Sequence, residues 1–179
     1  MLLITRSIVA PFLFALSITA GDSERVALCA VVNHLDAFAG RSVTIQGEIV
    51  TGREAFYLRD SNCDNGPKTG EYVWPPKLWL TPPNESAPMP KGQHYDEASF
   101  DRLDADMQAA KSKYGRVQIV ASLTGTIRAK EDLGAVRAAD GRWLTNGFGH
   151  MNVFPAEMIL ESVANWVITP VKPNESGKP

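Results

Sequence analysis

Two strand-like stretches of this 179-residue chain each place a glycine where the alternating pattern calls for a core side chain. In Ser42–Val50, Val43, Ile45 and Ile49 fall on one face and Thr44, Gln46 and Glu48 on the other, and the inward position between Ile45 and Ile49 is Gly47. In Arg116–Arg128 the inward series Val117, Ile119, Ala121, Leu123, Gly125, Ile127 gives Gly125 the same role. A glycine inside a strand pattern marks a bulge or sharp bend, because the missing side chain lets a neighbouring backbone come close. Long strands that curl sharply are what a small closed barrel needs.

The remaining elements fit the same frame. Thr51–Glu54 is a turn into Ala55–Asp60, where Phe56 and Leu58 share one face and Tyr57 and Arg59 the other, so the two segments predict a hairpin. Lys77–Thr81 reads as a short strand ended by Pro82 and Pro83, with Trp79 pointing away from Leu78 and Leu80. Phe100, Leu103, Met107 and Ala110 line one face of a helix from Asp96 to Lys113, and Ala156–Val163 reads as a last strand. Helical spacing of Leu28, Val31, Val32, Leu35 and Phe38 predicts one helix within Ser23–Phe38, stopped by Gly40, while Ser61–Pro76 reads as a polar surface loop. Mainly β with two helices, in the order strand, strand, strand, helix, strand, strand, describes a five-stranded OB-fold-like Greek-key barrel. The alternative, a β-sandwich, would want about seven strands. Residues 23–168 form the expected single domain and 169–179 a disordered tail.

The chain opens with Arg6 followed by an uncharged run from Ser7 to Ala20, which is the pattern of a signal peptide over residues 1–20. The run is shorter than the roughly 20 apolar residues of a membrane span, so no stable anchor is expected after its removal. Ser17 and Ala20 both offer cleavage points. Cys29 follows Leu28 rather than a small residue, which argues against a lipid-bearing mature start. Cys29 and Cys63 are the only cysteines and fit one intramolecular bridge in an oxidising compartment, periplasmic or secreted. Closing a loop of about 35 residues is worth roughly 3 to 4 kcal/mol in the chain-entropy model.

The order Cys29, Gly40–Glu48, Phe56–Asp60 ending near Cys63, and Leu78-Trp79-Leu80 is one half of a wider pattern. The other half is Gly147-Phe-Gly-His150 followed by Pro155-Ala-Glu157. Together they resemble small exported bacterial OB-fold proteins of unassigned function. The resemblance implies the barrel and an envelope setting, and carries over no catalytic residue.

Motifs that would name a chemistry are missing: there is no Gly-x-Ser-x-Gly elbow, His-Glu-x-x-His pair, phosphate loop or dinucleotide turn. Nothing calls for a cofactor or a metal, since His34, His94 and His150 each stand alone and Glu97, Asp101 and Asp104 read as a solvated helix flank. With Arg6 removed, 17 basic side chains face 20 acidic ones and no Lys/Arg cluster appears, which argues against nucleic acid as partner. OB-folds commonly bind on the outer face of strands two and three, bordered by the loops after strands one and four. Here that face offers Tyr57, Arg59 and Trp79, with Arg53 and His150 from the bordering loops. Aromatic rings beside arginines suit a protein, peptide or glycan ligand. An envelope enzyme or enzyme subunit with a site around His150 is the alternative. Gly147 and Gly149, which flank Phe148, permit close approach either by a ligand or by the chain itself, with Phe148 and Phe154 as plugs and His150 bonded to backbone.

Overall fold

The computed structural model describes residues 23–171. Its elements in chain order are β1 (Glu24–Val26), α1 (Leu28–Asn33), α2 (Leu35–Phe38), β2 (Ser42–Thr51), β3 (Phe56–Arg59), β4 (Lys68–Thr69), β5 (Tyr72–Val73) and β6 (Lys77–Thr81). They are followed by α3 (Glu97–Tyr114), β7 (Val117–Ala129), β8 (Ala135–Arg137), β9 (Trp143–Thr145), a 3-10 turn (His150–Asn152) and β10 (Ala156–Pro170).

Alternation in β2 and β7 is realised as the pattern predicts. Val43, Ile45, Ile119, Leu123 and Ile127 are buried, and Gln46 and Gln118 are exposed. β2 pairs antiparallel with β3, β3 antiparallel with β6, β6 parallel with β10, β10 antiparallel with β7, and β7 antiparallel back to β2. The circuit is a closed five-stranded mixed barrel of OB-fold type, with α3 between its third and fourth strands. Each of the five strands is paired on both sides over part of its length, which leaves less free edge than a sandwich retains.

The two inward glycines mark where strands crowd. A Cβ on Gly125 would stand 2.5 Å from the Ile159 carbonyl oxygen and 2.6 Å from Met158 Cγ, and one on Gly47 would stand 2.8 Å from the Arg59 carbonyl oxygen. Gly125 pairs with Leu160, and immediately beyond that pair the ladder shifts register between Leu160 and Ser162. The residue left out of the ladder is Glu161, whose carbonyl accepts from the Asp96 N–H at 2.7 Å at the start of α3. The Asp96 side chain accepts from the Ser99 N–H, capping the helix, and the buried Ser99 hydroxyl accepts from the Val163 N–H at 3.1 Å. Trp166 Nε1 donates to Asp106 at 2.9 Å further along. The helix is thus stitched to β10 along one flank, and Gly115, with φ at 76°, ends it.

Three elements differ from the sequence reading. The single helix expected within Ser23–Phe38 is instead a strand and two short helices. Glu24–Val26 pairs parallel with Val43–Ile45 at the open edge of β2, and the helix breaks at His34, whose φ is −135°. Helical periodicity of the apolar residues survives the break, which is why spacing alone could not see it. The expected surface loop Ser61–Pro76 contains the β4–β5 hairpin and the fully buried Trp74, whose Nε1 donates to Thr69 Oγ1 at 2.9 Å. Finally, β10 runs to Pro170 rather than Val163, with Thr169 and Pro170 opposite Gln118 and Val117. Residues 172–179 of the expected tail, and the expected leader at 1–20, lie outside the described residues.

Cys29 and Cys63 form a disulfide that ties α1 to the loop after β3, with their Cα atoms 5.4 Å apart. Among the described residues no helix is long and apolar enough to cross a membrane.

Two outcomes test this architecture. Gly125→Ala pushes a methyl into Ile159 and Met158, and is expected to lower the unfolding free energy by about 1–3 kcal/mol or more, read from the denaturant midpoint. Replacing both cysteines by serine is expected to cost about 3–4 kcal/mol by the loop-closure argument, and an unchanged midpoint would contradict it.

Candidate functional site

Because Leu58, Leu78 and Leu80 go into the core, Tyr57 and Trp79 must face out, and the β3–β6 register sets them side by side. The segment Gly147–Phe154 lies directly over them. Phe148 and Phe154 form an antiparallel bridge and are 8% and 7% exposed, and the Phe154 ring centroid is 5.4 Å from Tyr57 and 5.1 Å from Trp79. Gly149, at φ 70°, comes so close that a Cβ would fall 2.5 Å from the Trp79 ring; one on Gly147 would fall 2.2 Å from the Phe154 carbonyl oxygen. The glycines therefore serve close packing of the chain on itself, with Phe148 and Phe154 as the plugs. Among the described residues the His150 side chain has no backbone partner, in contrast to the expected packing: it is half exposed, with Nε2 3.3 Å from Glu54 Oε2.

The five expected site residues separate into groups. Arg53, Trp79 and His150 meet at a surface depression of about 380 Å³ between the β2–β3 turn and the β7–β10 loop, also lined by Gly52, Glu54, Ala55 and Phe56. Tyr57 is half-buried beside Phe154, with the Lys77 ammonium 4.8 Å from its ring centroid. Arg59 points elsewhere: its Nε and Nη2 donate to Glu48 Oε2 and Oε1 at 3.0 and 2.8 Å, and Gln118 donates to the same carboxylate at 2.9 Å. This triad borders a separate polar depression of about 350 Å³. Burial acts to raise the Glu48 carboxyl, but the hydrogen bonds from Arg59 and Gln118 and the guanidinium charge outweigh it and hold the group below its ordinary 4.5.

Chemically, the first depression offers a guanidinium, a carboxylate, an imidazole and an indole, and among its lining residues no hydroxyl or thiol. Under the covering loop, Glu157, 7% exposed, is engaged by Arg128 at 3.0 Å and by the Thr81 hydroxyl at 2.7 Å, so it is not a free acid. Among the described residues no three His, Cys, Asp or Glu side chains converge as a metal site would require. Sequence reasoning missed Glu54 as part of the site, and it placed Phe154 as a plug without its contacts to Tyr57 and Trp79. Glu54 was within reach, as the neighbour of Arg53 in the same turn; the partners of Phe154 lacked a signal, because they lie more than seventy residues away. No family model, curated protein or solved structure matches the chain.

If Arg59 buttresses Glu48, Arg59→Ala should cost less than about 1 kcal/mol, since the guanidinium side of the pair is half exposed. A depressed native carboxyl stabilises above the unfolded value and loses that contribution as pH falls through the folded one. The wild-type advantage over Arg59→Ala should therefore be full above pH 4.5 and fade below it, as followed by urea unfolding across pH.

Proposed function

We propose that this is an exported binding module of OB-fold type whose ligand is a glycan, held at the depression where Arg53, Trp79 and His150 meet. The observation that carries the reading is the convergence of those three side chains, from two loops and the outer barrel face, at the place where OB-folds commonly bind. A sugar ring presents an apolar face suited to the Trp79 indole and hydroxyls suited to Arg53, Glu54 and His150. Export is supported by the basic start and apolar run of residues 1–20 and by the Cys29–Cys63 bridge, which would not persist in a reducing cytosol. The balance of 18 basic and 20 acidic side chains weighs against nucleic acid.

A second reading, an envelope enzyme, draws on one contact: Glu54 and His150 form a solvent-facing carboxylate–imidazole pair, an arrangement able to move a proton.

Arg53→Ala and His150→Ala remove exposed side chains and should leave the unfolding midpoint within experimental error. Each should weaken retention on immobilised envelope polysaccharide about tenfold, the scale of one hydrogen bond to a charged group. Retention unaltered by both substitutions removes the site, whereas selective loss of a peptide rather than a glycan ligand transfers the same site to peptides. Turnover abolished by Glu54→Gln with binding intact would favour the enzyme.

A further inference from the structure

A more apolar opening than that depression lies under α3. The helix is hydrogen-bonded to β10 on one flank through Ser99 and Asp106, while it faces the β2–β3 hairpin across a gap. The gap is a cavity of about 300 Å³. Its floor is the barrel interior, Ile49, Ile119, Leu123 and Leu160; its roof is Phe100, Leu103 and Met107 of the helix. Tyr95, stacked on Phe100 with centroids 5.1 Å apart, forms one wall, and Phe56 and Pro82 form the other. The polar side chains on the lining, Thr51 and Asp104 besides the Tyr95 phenol, are too few to hold water throughout such a space. The opening is a cleft that leaves Phe56, Tyr95, Phe100 and Met107 partly exposed, and taking that apolar surface out of water favours an apolar occupant.

Size and charge narrow what that occupant is. An engineered apolar cavity of about 150 Å³ takes benzene, so twice that volume accommodates about a dozen carbon atoms, or one alkyl chain of roughly ten carbons. Asp104 lines the cavity, and Glu97 and Asp101 lie close enough to Tyr95 to act on its phenol, after burial, in the same upward direction. That rim repels a carboxylate head group and attracts an ammonium. The residues after Val171, Lys-Pro-Asn-Glu-Ser-Gly-Lys-Pro, carry no apolar side chain but proline and are ill suited to fill it.

We infer that the cavity between α3 and the barrel is a binding site for a single-chain amphiphile, an alkyl chain of about ten carbons bearing a cationic or uncharged head. The site shares only Phe56 with the glycan depression, and its standing does not depend on that reading.

The test is calorimetric titration of the full chain with decylammonium, decyl maltoside and decanoate, each below its critical micelle concentration, with the Met107 methyl resonance followed by NMR. One saturable site is expected for decylammonium and decyl maltoside, with decanoate bound at least tenfold more weakly and the Met107 signal shifting in step. Met107→Trp, which fills the roof, should weaken all binding tenfold or more. Asp104→Lys changes a solvent-exposed side chain, so it keeps the test alive should the first variant fail to fold; it should reverse the order of decylammonium and decanoate. Absence of saturable binding, or binding that neither variant alters, overturns the inference. So do contacts between Met107 and residues 1–22 in the unliganded full chain, which would give the cavity to the chain itself.

Discussion

Closure of the barrel depends on one close crossing, that of β7 over β10 at Gly125. With no side chain there, the Ile159 carbonyl and the Met158 side chain occupy the space a Cβ would take. The bulge that follows at Glu161 frees a carbonyl from the ladder, and that carbonyl receives the first N–H at the start of α3. Strand curvature and helix placement are therefore one event. Removing the crossing would flatten β10, withdraw the anchor of α3, and open the end of the barrel that the helix covers. Gly47 performs the matching service on β2, where the Arg59 carbonyl comes within 2.8 Å of the absent Cβ.

The outer face of β3 and β6, which an OB-fold commonly keeps open, is here largely roofed by the chain's own aromatic residues. Phe154 lies against both Tyr57 and Trp79, and the buried Trp74 packs edge-on to Tyr72, which in turn meets Trp143. This second apolar layer draws on loops that have no room in the barrel itself. Its geometry is demanding: Met151 and Asn152 take φ of 58° and 56°, a left-handed conformation uncommon for residues with side chains. Such conformations persist where surroundings over-determine them, and they hold His150 at the exposed edge of the roof, beside the Trp79 wall and opposite Glu54. A face that could have bound along its length is reduced to an opening at one end.

What was legible in the sequence follows from the range of the forces involved. Alternation within β2 and β7, the inward glycines and the helix beginning near Asp96 are local signals, and the barrel assembled from them is the one observed. The Cys29–Cys63 pairing was forced by having only two cysteines. By contrast, the break at His34 preserves helical spacing on either side, and Trp74 sits in a stretch whose prolines and polar residues read as loop, although its indole is buried against residues from other segments. Arg59 shows the same limit from another direction. Its place on the outer face was readable from the period of two, but its engagement with Glu48 depends on the cross-strand register, which pairs those two residues directly. Of the expected site, Arg53, Trp79 and His150 came together, Tyr57 lies beside Phe154, and Arg59, further along β3, was claimed by Glu48 across the hairpin.

The β2–β3 turn links the two openings. Phe56 lines both the depression with Trp79 and His150 and the apolar cavity under α3, and Thr51 borders the cavity while Gly52 to Ala55 border the depression. The turn is exposed between Thr51 and Glu54 and closed by the Gly52 N–H to the Ala55 carbonyl at 2.7 Å, so it is a small unit attached to a rigid hairpin. A single side chain thus forms part of two walls, and the β3–β6 pairing of Tyr57 with Trp79 fixes the strand that carries it, so the hairpin sets the boundary between the two openings.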